Sequence, residues 1–283
     1  MNSSVVSTDW LANHLNDANT RIVDIRGYVK PASEPPPHYF NSREDYDEAH
    51  IPGAVFIDWV HEITDPADPR HAQVAPPERY AEAMRRNGIN NETFVVAYDD
   101  GVGMFAARLW WTLNYYGHTQ AAILEGGYGK WLREGRPTTA EVPAHSPGDF
   151  TPQVNSRVRR TADEVSAKLN QPGTLLIDVR SAGEYTGEYS RTSRFGHIPG
   201  AVNHSRSAFT NEDGTFKPVD EVRAGFVGTG ATDDRDDIVV YCNAGVSASL
   251  TMLAMRLAGY NNVSMYDGSW KDWTSDNSRP VEK

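Results

Sequence analysis

The stretch DDIVVYCNAGVSASLTMLAMRLAGY, Asp236–Tyr260, decides the reading of the chain. Ile238, Val239 and Val240 form a short β-branched run, the signature of a buried strand. From Cys242 to Ser247 the residues are small enough for a tight loop, and a helix is expected from about Ala248 to Ala258, closed by Gly259. That order puts Cys242 at the carboxyl end of a strand, where open α/β sheets bind their ligands. A loop of small residues can turn successive backbone N–H groups inward, and the helix amino terminus adds positive potential. Such a cradle favours an anion, so a cysteine inside it is drawn toward the reactive thiolate. A lone cysteine is more often a buried structural residue; the strand-loop-helix junction is what argues for chemistry here. A cysteine phosphatase would need an arginine fork at the far end of the loop, and Ala248 stands there.

Outward from this stretch, the chain repeats itself. RIVDIR ending at Arg26 pairs with LLIDVR ending at Arg180, HIPGAV recurs at His50 and His197, and Gly101 in VVAYDDGVG pairs with Gly245. LEGGYGKW and MYDGSWKDW then pair Trp131 with Trp273. Each half begins with a capped amphipathic helix, after Ser7 or after Thr161 with Glu164. The helix after each loop closes on a glycine, Gly117 or Gly259. The offset between partners shrinks along the chain, which implies an insertion in the first half; the proline-rich stretch Pro31–Pro37 is expected to be a surface loop there. Strands such as TFVVAY and NVSMYD alternate with helical patterns, so the fold class expected is α/β, two similar domains each with a mainly parallel sheet flanked by helices. The boundaries read are a first domain over 1–138, a linker over 139–158 rich in Pro, Ser and Thr, and a second domain over 159–283.

Composition narrows the function. A net charge of -11 and a pI near 5.3 repel nucleic acid and anionic membranes. One cysteine forbids an internal disulfide and a cysteine-rich zinc site. The first residues lack a basic segment followed by an apolar one, and no run approaches a membrane span, so a cytoplasmic location is expected. Trp110 and Trp111 sit in an apolar helix without interleaved basic residues, which reads as core rather than base stacking.

In its Asp-x-Arg strands, both HIPGA turns, the CNAGVSA loop and DGSWKDW, the chain resembles the tandem-domain rhodanese family, the thiosulfate and 3-mercaptopyruvate sulfurtransferases, over nearly its whole length. The resemblance implies an inactive first domain and a catalytic second one. The first-half equivalent of Cys242 is Tyr98 if the Gly-Val pairs are aligned, or Asp99 if the strand ends are, and neither carries transferable sulfur. By the same resemblance, Cys242 takes the outer sulfur of a donor as a persulfide and passes it to cyanide or a thiol, small or on a protein, with no metal or organic cofactor. Asn243, Ala244, Gly245, Val246 and Ser247 would form the cradle, mainly through backbone N–H groups.

The sequence departs from the family around the donor. Thiosulfate-preferring members carry basic residues after the cysteine and mercaptopyruvate-preferring members carry Gly-Ser; this chain has Asn243 and Ala244. Where the latter place a carboxylate-binding arginine, Glu184 stands, which tilts the expected donor toward thiosulfate. Arg191 and Arg194 are candidates to supply positive charge. His71 matches a family histidine at the end of the loop after the first HIPGA, although an acidic family residue in that loop is replaced by Val60. The Asp24–Arg26 and Asp178–Arg180 pairs read as ties between strand ends and loops, and His50 and His197 as residues that orient the X-Pro turns. The alternative to an enzyme is a non-catalytic module that binds a protein or delivers sulfur only to a partner.

Overall fold

The computed structural model describes residues 4–31, 34–35, 37–70 and 73–283. It divides into two compact units: Met1–Pro66, Val74–Asn155 and Glu212–Thr215 in one, Ala67–Gln73, Ser156–Asn211 and Phe216–Lys283 in the other. Residues 139–155, read as linker, run along the first unit: Thr139 pairs with His50, and the Gln153 and Asn155 amides donate to the Tyr116 and Tyr115 carbonyls.

The first unit contains β1 (Val5–Val6), α1 (Thr8–Asn13), β2 (Thr20–Asp24), β3 (Gly27–Val29), β4 (Tyr39–Asn41), α2 (Arg43–Glu48) and β5 (Val55–Phe56). It continues through α3 (Pro77–Arg86), β6 (Phe94–Tyr98), α4 (Met104–Tyr115), β7 (Ala121–Leu124) and α5 (Gly127–Arg133). The second unit repeats the plan in β8 (Arg159–Arg160), α6 (Ala162–Lys168), β9 (Thr174–Asp178), α7 (Ala182–Thr186) and β10 (Val202–Asn203). There follow α8 (Val219–Val227), β11 (Asp237–Tyr241), α9 (Val246–Leu257), β12 (Val263–Tyr266) and α10 (Ser269–Ser275). The sheets have strand orders β1-β7-β6-β2-β5 and β8-β12-β11-β9-β10 and are parallel throughout, so each strand has a counterpart in the same place. β6 and β11 are central; helices cover both faces, which is why their residues are apolar without alternation.

Capping follows the sequence: the Ser7 hydroxyl accepts from the Trp10 amide, and Thr161 and Glu164 form a reciprocal capping box. The insertion is more than a loop. Its flanks pair as the antiparallel hairpin β3–β4, with Tyr28 stacked on Phe40; Ala32, Ser33 and Pro36 within the proline-rich stretch lie outside the described residues. Each core centres on matching aromatics, Tyr98 and Trp131 in one unit, Tyr241 and Trp273 in the other. Among the described residues no helix is long and apolar enough to cross a membrane.

Candidate functional site at the carboxyl end of β11

Strand register fixes how the halves align. Asp24 on β2 lies opposite Tyr98 on β6, and Asp178 on β9 lies opposite Tyr241 on β11. The Tyr98 hydroxyl accepts from the Ile51 amide and donates to Asp24 at 2.7 Å, and the Tyr241 hydroxyl accepts from the Ile198 amide. Burial first, then the neighbouring aspartate, pushes both phenols well above their ordinary range, so both stay protonated. Asp24 and Asp178 hold Arg26 and Arg180 at 2.9 and 2.6 Å, and each arginine also donates to a loop carbonyl, Ala49 or Gly196. His50 and His197 stack on Tyr46 and Tyr185 before the X-Pro turns. Both sets serve the scaffold.

With Tyr98 matched to Tyr241, Cys242 corresponds to Asp99. The backbone agrees: the Tyr128 amide donates to the Asp99 carbonyl and the Gly129 amide to that of Asp100, as Trp270 does to Cys242 and Lys271 to Asn243. The glycines capping the two helices, both left-handed, are Gly103 and Gly245. The pairing of Gly101 with Gly245 read from sequence is therefore corrected. The first loop carries one additional residue, which hides the register in a letter-by-letter match.

What the loop does is visible in the first unit. Asp99 is buried, and its carboxylate accepts from the amides of Gly101 and Gly103 at 3.0 and 2.8 Å and from Phe105 and Ala106 at 2.9 and 3.3 Å. Four backbone donors converge on one anion. The second-unit counterparts of the helical pair are Ser247 and Ala248. The first bond of the α-helical ladder runs from Ser249 to Gly245, and no side chain caps the helix, so the first-turn amides precede the ladder.

The second loop also differs in where its amides go. The amides of Cys242 and Gly245 donate at 3.2 and 3.1 Å to the Ser269 hydroxyl, which in turn donates to the Tyr266 carbonyl. Gly245, expected to give its N–H to the sulfur, gives it to Ser269. Ser269 is fully buried with φ +54, an unusual backbone for a residue with a Cβ. Its counterpart Gly127 has the same φ, and a Cβ there would lie 2.4 Å from the Asp99 carbonyl oxygen and 2.8 Å from the Gly101 nitrogen. The longer first loop fills the space that the serine uses in the second unit.

Cys242 is 4% exposed. The helix begins earlier than expected, at Val246, so Val246 and Ser247 belong to its first turn rather than to the loop. Ala244 and Val246 are buried beside the cysteine in the chain. Asn243 donates from Nδ2 to Glu184 at 2.9 Å. Glu184, only 8% exposed, also accepts from Ser181 and has the Arg191 Nε at 3.6 Å, so its charge is engaged. Arg191 lines an open cavity of about 260 Å³ with Arg70, Thr192, Ser193, Lys271, Thr274 and Ser275. Arg194 is turned elsewhere, donating to the carbonyls of Asp276 at 3.1 Å and Arg279 at 2.7 Å. His71 lies outside the described residues.

Sequence reasoning missed Ser269, Arg70 and Lys271. The first and last sit inside DGSWKDW, a motif used only as a repeat landmark. Arg70 joins the second unit although it precedes α3 in the chain; it pairs with Asp68 at 2.7 Å and with Asp272.

Fold and site together define a class, a tandem α/β protein whose second domain places one cysteine where its first domain places a cradled carboxylate. The model of the rhodanese-like domain matches residues 7–134 and again 161–276, and the chain belongs to the rhodanese family of sulfurtransferases. It is 37% identical to the sulfur carrier protein TtuD of Thermus thermophilus, over 99% of this chain and 96% of the relative. Identity is 33% with the 3-mercaptopyruvate sulfurtransferase of Escherichia coli K12, covering 98% of this chain and 97% of that protein. It is 34% with the thiosulfate sulfurtransferase of Bos taurus, covering 95% and 91%. The crystal structure of SseA from Escherichia coli, a 3-mercaptopyruvate sulfotransferase by its description, matches with a TM-score of 0.84 at 33% identity, covering 95% of this chain and 99% of that one.

Proposed function

We propose that this chain moves sulfane sulfur from thiosulfate or 3-mercaptopyruvate to cyanide or a thiol through a persulfide on Cys242, with thiosulfate the better donor. One observation carries the reading: Cys242 occupies the position where the first unit holds a carboxylate with four backbone N–H groups. A loop of this build stabilises a negative charge at that point, and the anions in question are the thiolate and then the persulfide.

With thiosulfate, the Cys242 thiolate forms a bond to the outer sulfur, the S–S bond of the donor breaks, and sulfite leaves with its electron pair. The negative charge of the thiolate then resides on the terminal persulfide sulfur. In the second half-reaction cyanide or a thiolate takes that sulfur, and the bond electrons return to Cys242. Ser247 and Ala248 are the backbone donors in this reading, with Asn243, Ala244, Gly245 and Val246 shaping the loop and Arg191 facing the donor.

The test is intact-mass measurement after exposure to donor. Wild type is expected to gain about 32 Da, lost again on adding cyanide, and Cys242→Ser to gain nothing and to lose at least about a thousandfold in turnover. Sulfur transfer that survives Cys242→Ser would falsify the proposal. The name of the relative TtuD supports a second reading, a carrier that hands its sulfur to a partner protein; a persulfide that forms readily but is discharged slowly by cyanide and small thiols favours it.

A further inference from the structure

The loop itself carries no cation, since Asn243 and Ala244 follow the cysteine. Positive charge reaches the site from α10 instead. The backbone amide of Lys271 donates to the Asn243 carbonyl at 3.1 Å, which ties this residue to the one after Cys242. Its ammonium donates to the Arg70 carbonyl at 3.2 Å and lines the cavity with Arg70 and Arg191. Arg70 is held by Asp68 and Asp272, and Arg191 stands beside Glu184. The corresponding residue of the first unit is Gly129, whose amide makes the same bond to Asp100. Lysine and cysteine therefore occur together in one unit, glycine and aspartate in the other.

We propose that Lys271 is a specificity-determining residue whose ammonium binds the oxyanion end of a small, doubly charged sulfur donor while Cys242 takes the terminal sulfur. This rests on the reading of Cys242 as the sulfur carrier. A dianion such as thiosulfate gains more from the Lys271 ammonium than the monocarboxylate mercaptopyruvate does. Burial first, and then Arg191, pulls the Lys271 ammonium down to about 8, against the opposing pull of Asp68 and Cys242. The charge is therefore present below that pH and is lost above it.

The experiment compares full-length wild type, Lys271→Met and Lys271→Arg in single-turnover persulfide formation. Quenched samples are weighed intact across thiosulfate and mercaptopyruvate concentrations, from about pH 6 to about pH 10. In Lys271→Met the thiosulfate concentration for half-maximal rate should rise at least about tenfold, with a smaller change for mercaptopyruvate. Wild type is expected to bind thiosulfate more weakly as pH passes about 8, and that change should vanish in Lys271→Met. Lys271→Arg should restore tight binding and carry it to higher pH. Equal half-saturation and an unchanged pH profile in Lys271→Met, with the persulfide still forming on Cys242, overturn the role of Lys271 alone. A wild type that forms no persulfide with either donor overturns this inference and the reading of Cys242 together.

Discussion

The loops after β6 and β11 start from the same strand register and end in the same left-handed glycine, yet they hold opposite chemistry. The first surrounds the Asp99 carboxylate with the amides of Gly101, Gly103, Phe105 and Ala106, beside a second acid, Asp100. The second places Cys242 at the same point, replaces the neighbouring acid by Asn243, and brings Lys271 where the first has Gly129. In the first unit the acceptor is a built-in side chain that takes all four amides, so the cradle is filled. The second unit holds a cysteine at that point, which on the proposed function receives the delivered sulfur. One scaffold thus encloses a carboxylate in one unit and a cysteine in the other, which on the proposed function separates a structural loop from a sulfur site.

The strongest way to break this comparison is to remove the built-in anion. Asp99→Ala leaves four amides, three of them buried, without their acceptor and should cost about 3 kcal/mol or more, read from the denaturant midpoint at constant m-value. A loss below about 1 kcal/mol would mean that the cradle is not organised around the charge. Asp99→Cys in a Cys242→Ser background asks whether the cradle suffices. No mass gain from thiosulfate is expected, because Asp100 stands beside that position and Gly129 replaces the lysine; efficient loading would show that the loop alone makes a sulfur site.

Ser269 sharpens the comparison. Ser269→Ala keeps the positive φ and removes the acceptor of two amides, so a loss of about 2 kcal/mol is expected. Ser269→Gly copies Gly127 and should lose about 1 kcal/mol less, since glycine tolerates that backbone. Equal losses in a paired denaturation experiment would mean that backbone strain at this position costs the fold nothing.

The smallest effect concerns Asp100. Its carboxyl is pushed up to about 6, first by loss of solvent and then, against Arg26, by Asp99, Asp24 and Asp45. The folded protein therefore holds a proton that the unfolded chain has released between the ordinary aspartate range and about pH 6. Stability falls as pH rises through that window and is flat above it. Because the residue is exposed, solvent screens most of the effect; Asp100→Asn should gain less than about 1 kcal/mol at neutral pH and flatten the slope, as measured by urea melts across the window.

Much of this was legible in the chain. The repeat, the parallel α/β class, the caps at Ser7 and Thr161 and the cysteine at a strand end follow from local pattern: strand period, capping residues and small-residue turns are set within a few neighbours. So were the Asp-x-Arg ties, whose partners lie two residues apart. Contacts between distant residues were decided only in the tertiary structure. Strand pairing aligned Cys242 with Asp99, because register depends on hydrogen bonds to β2 and β9 while the loops differ in length. Packing separated Arg191 from Arg194, three residues apart in one loop, by giving the second to backbone carbonyls near the carboxyl terminus. It also gathered Arg70, Glu184 and Lys271 around the site from three segments of chain. Sequence spacing specifies which elements form and where the lone cysteine sits on one of them; which charges surround that residue depends on side chains that meet only after the sheet has assembled.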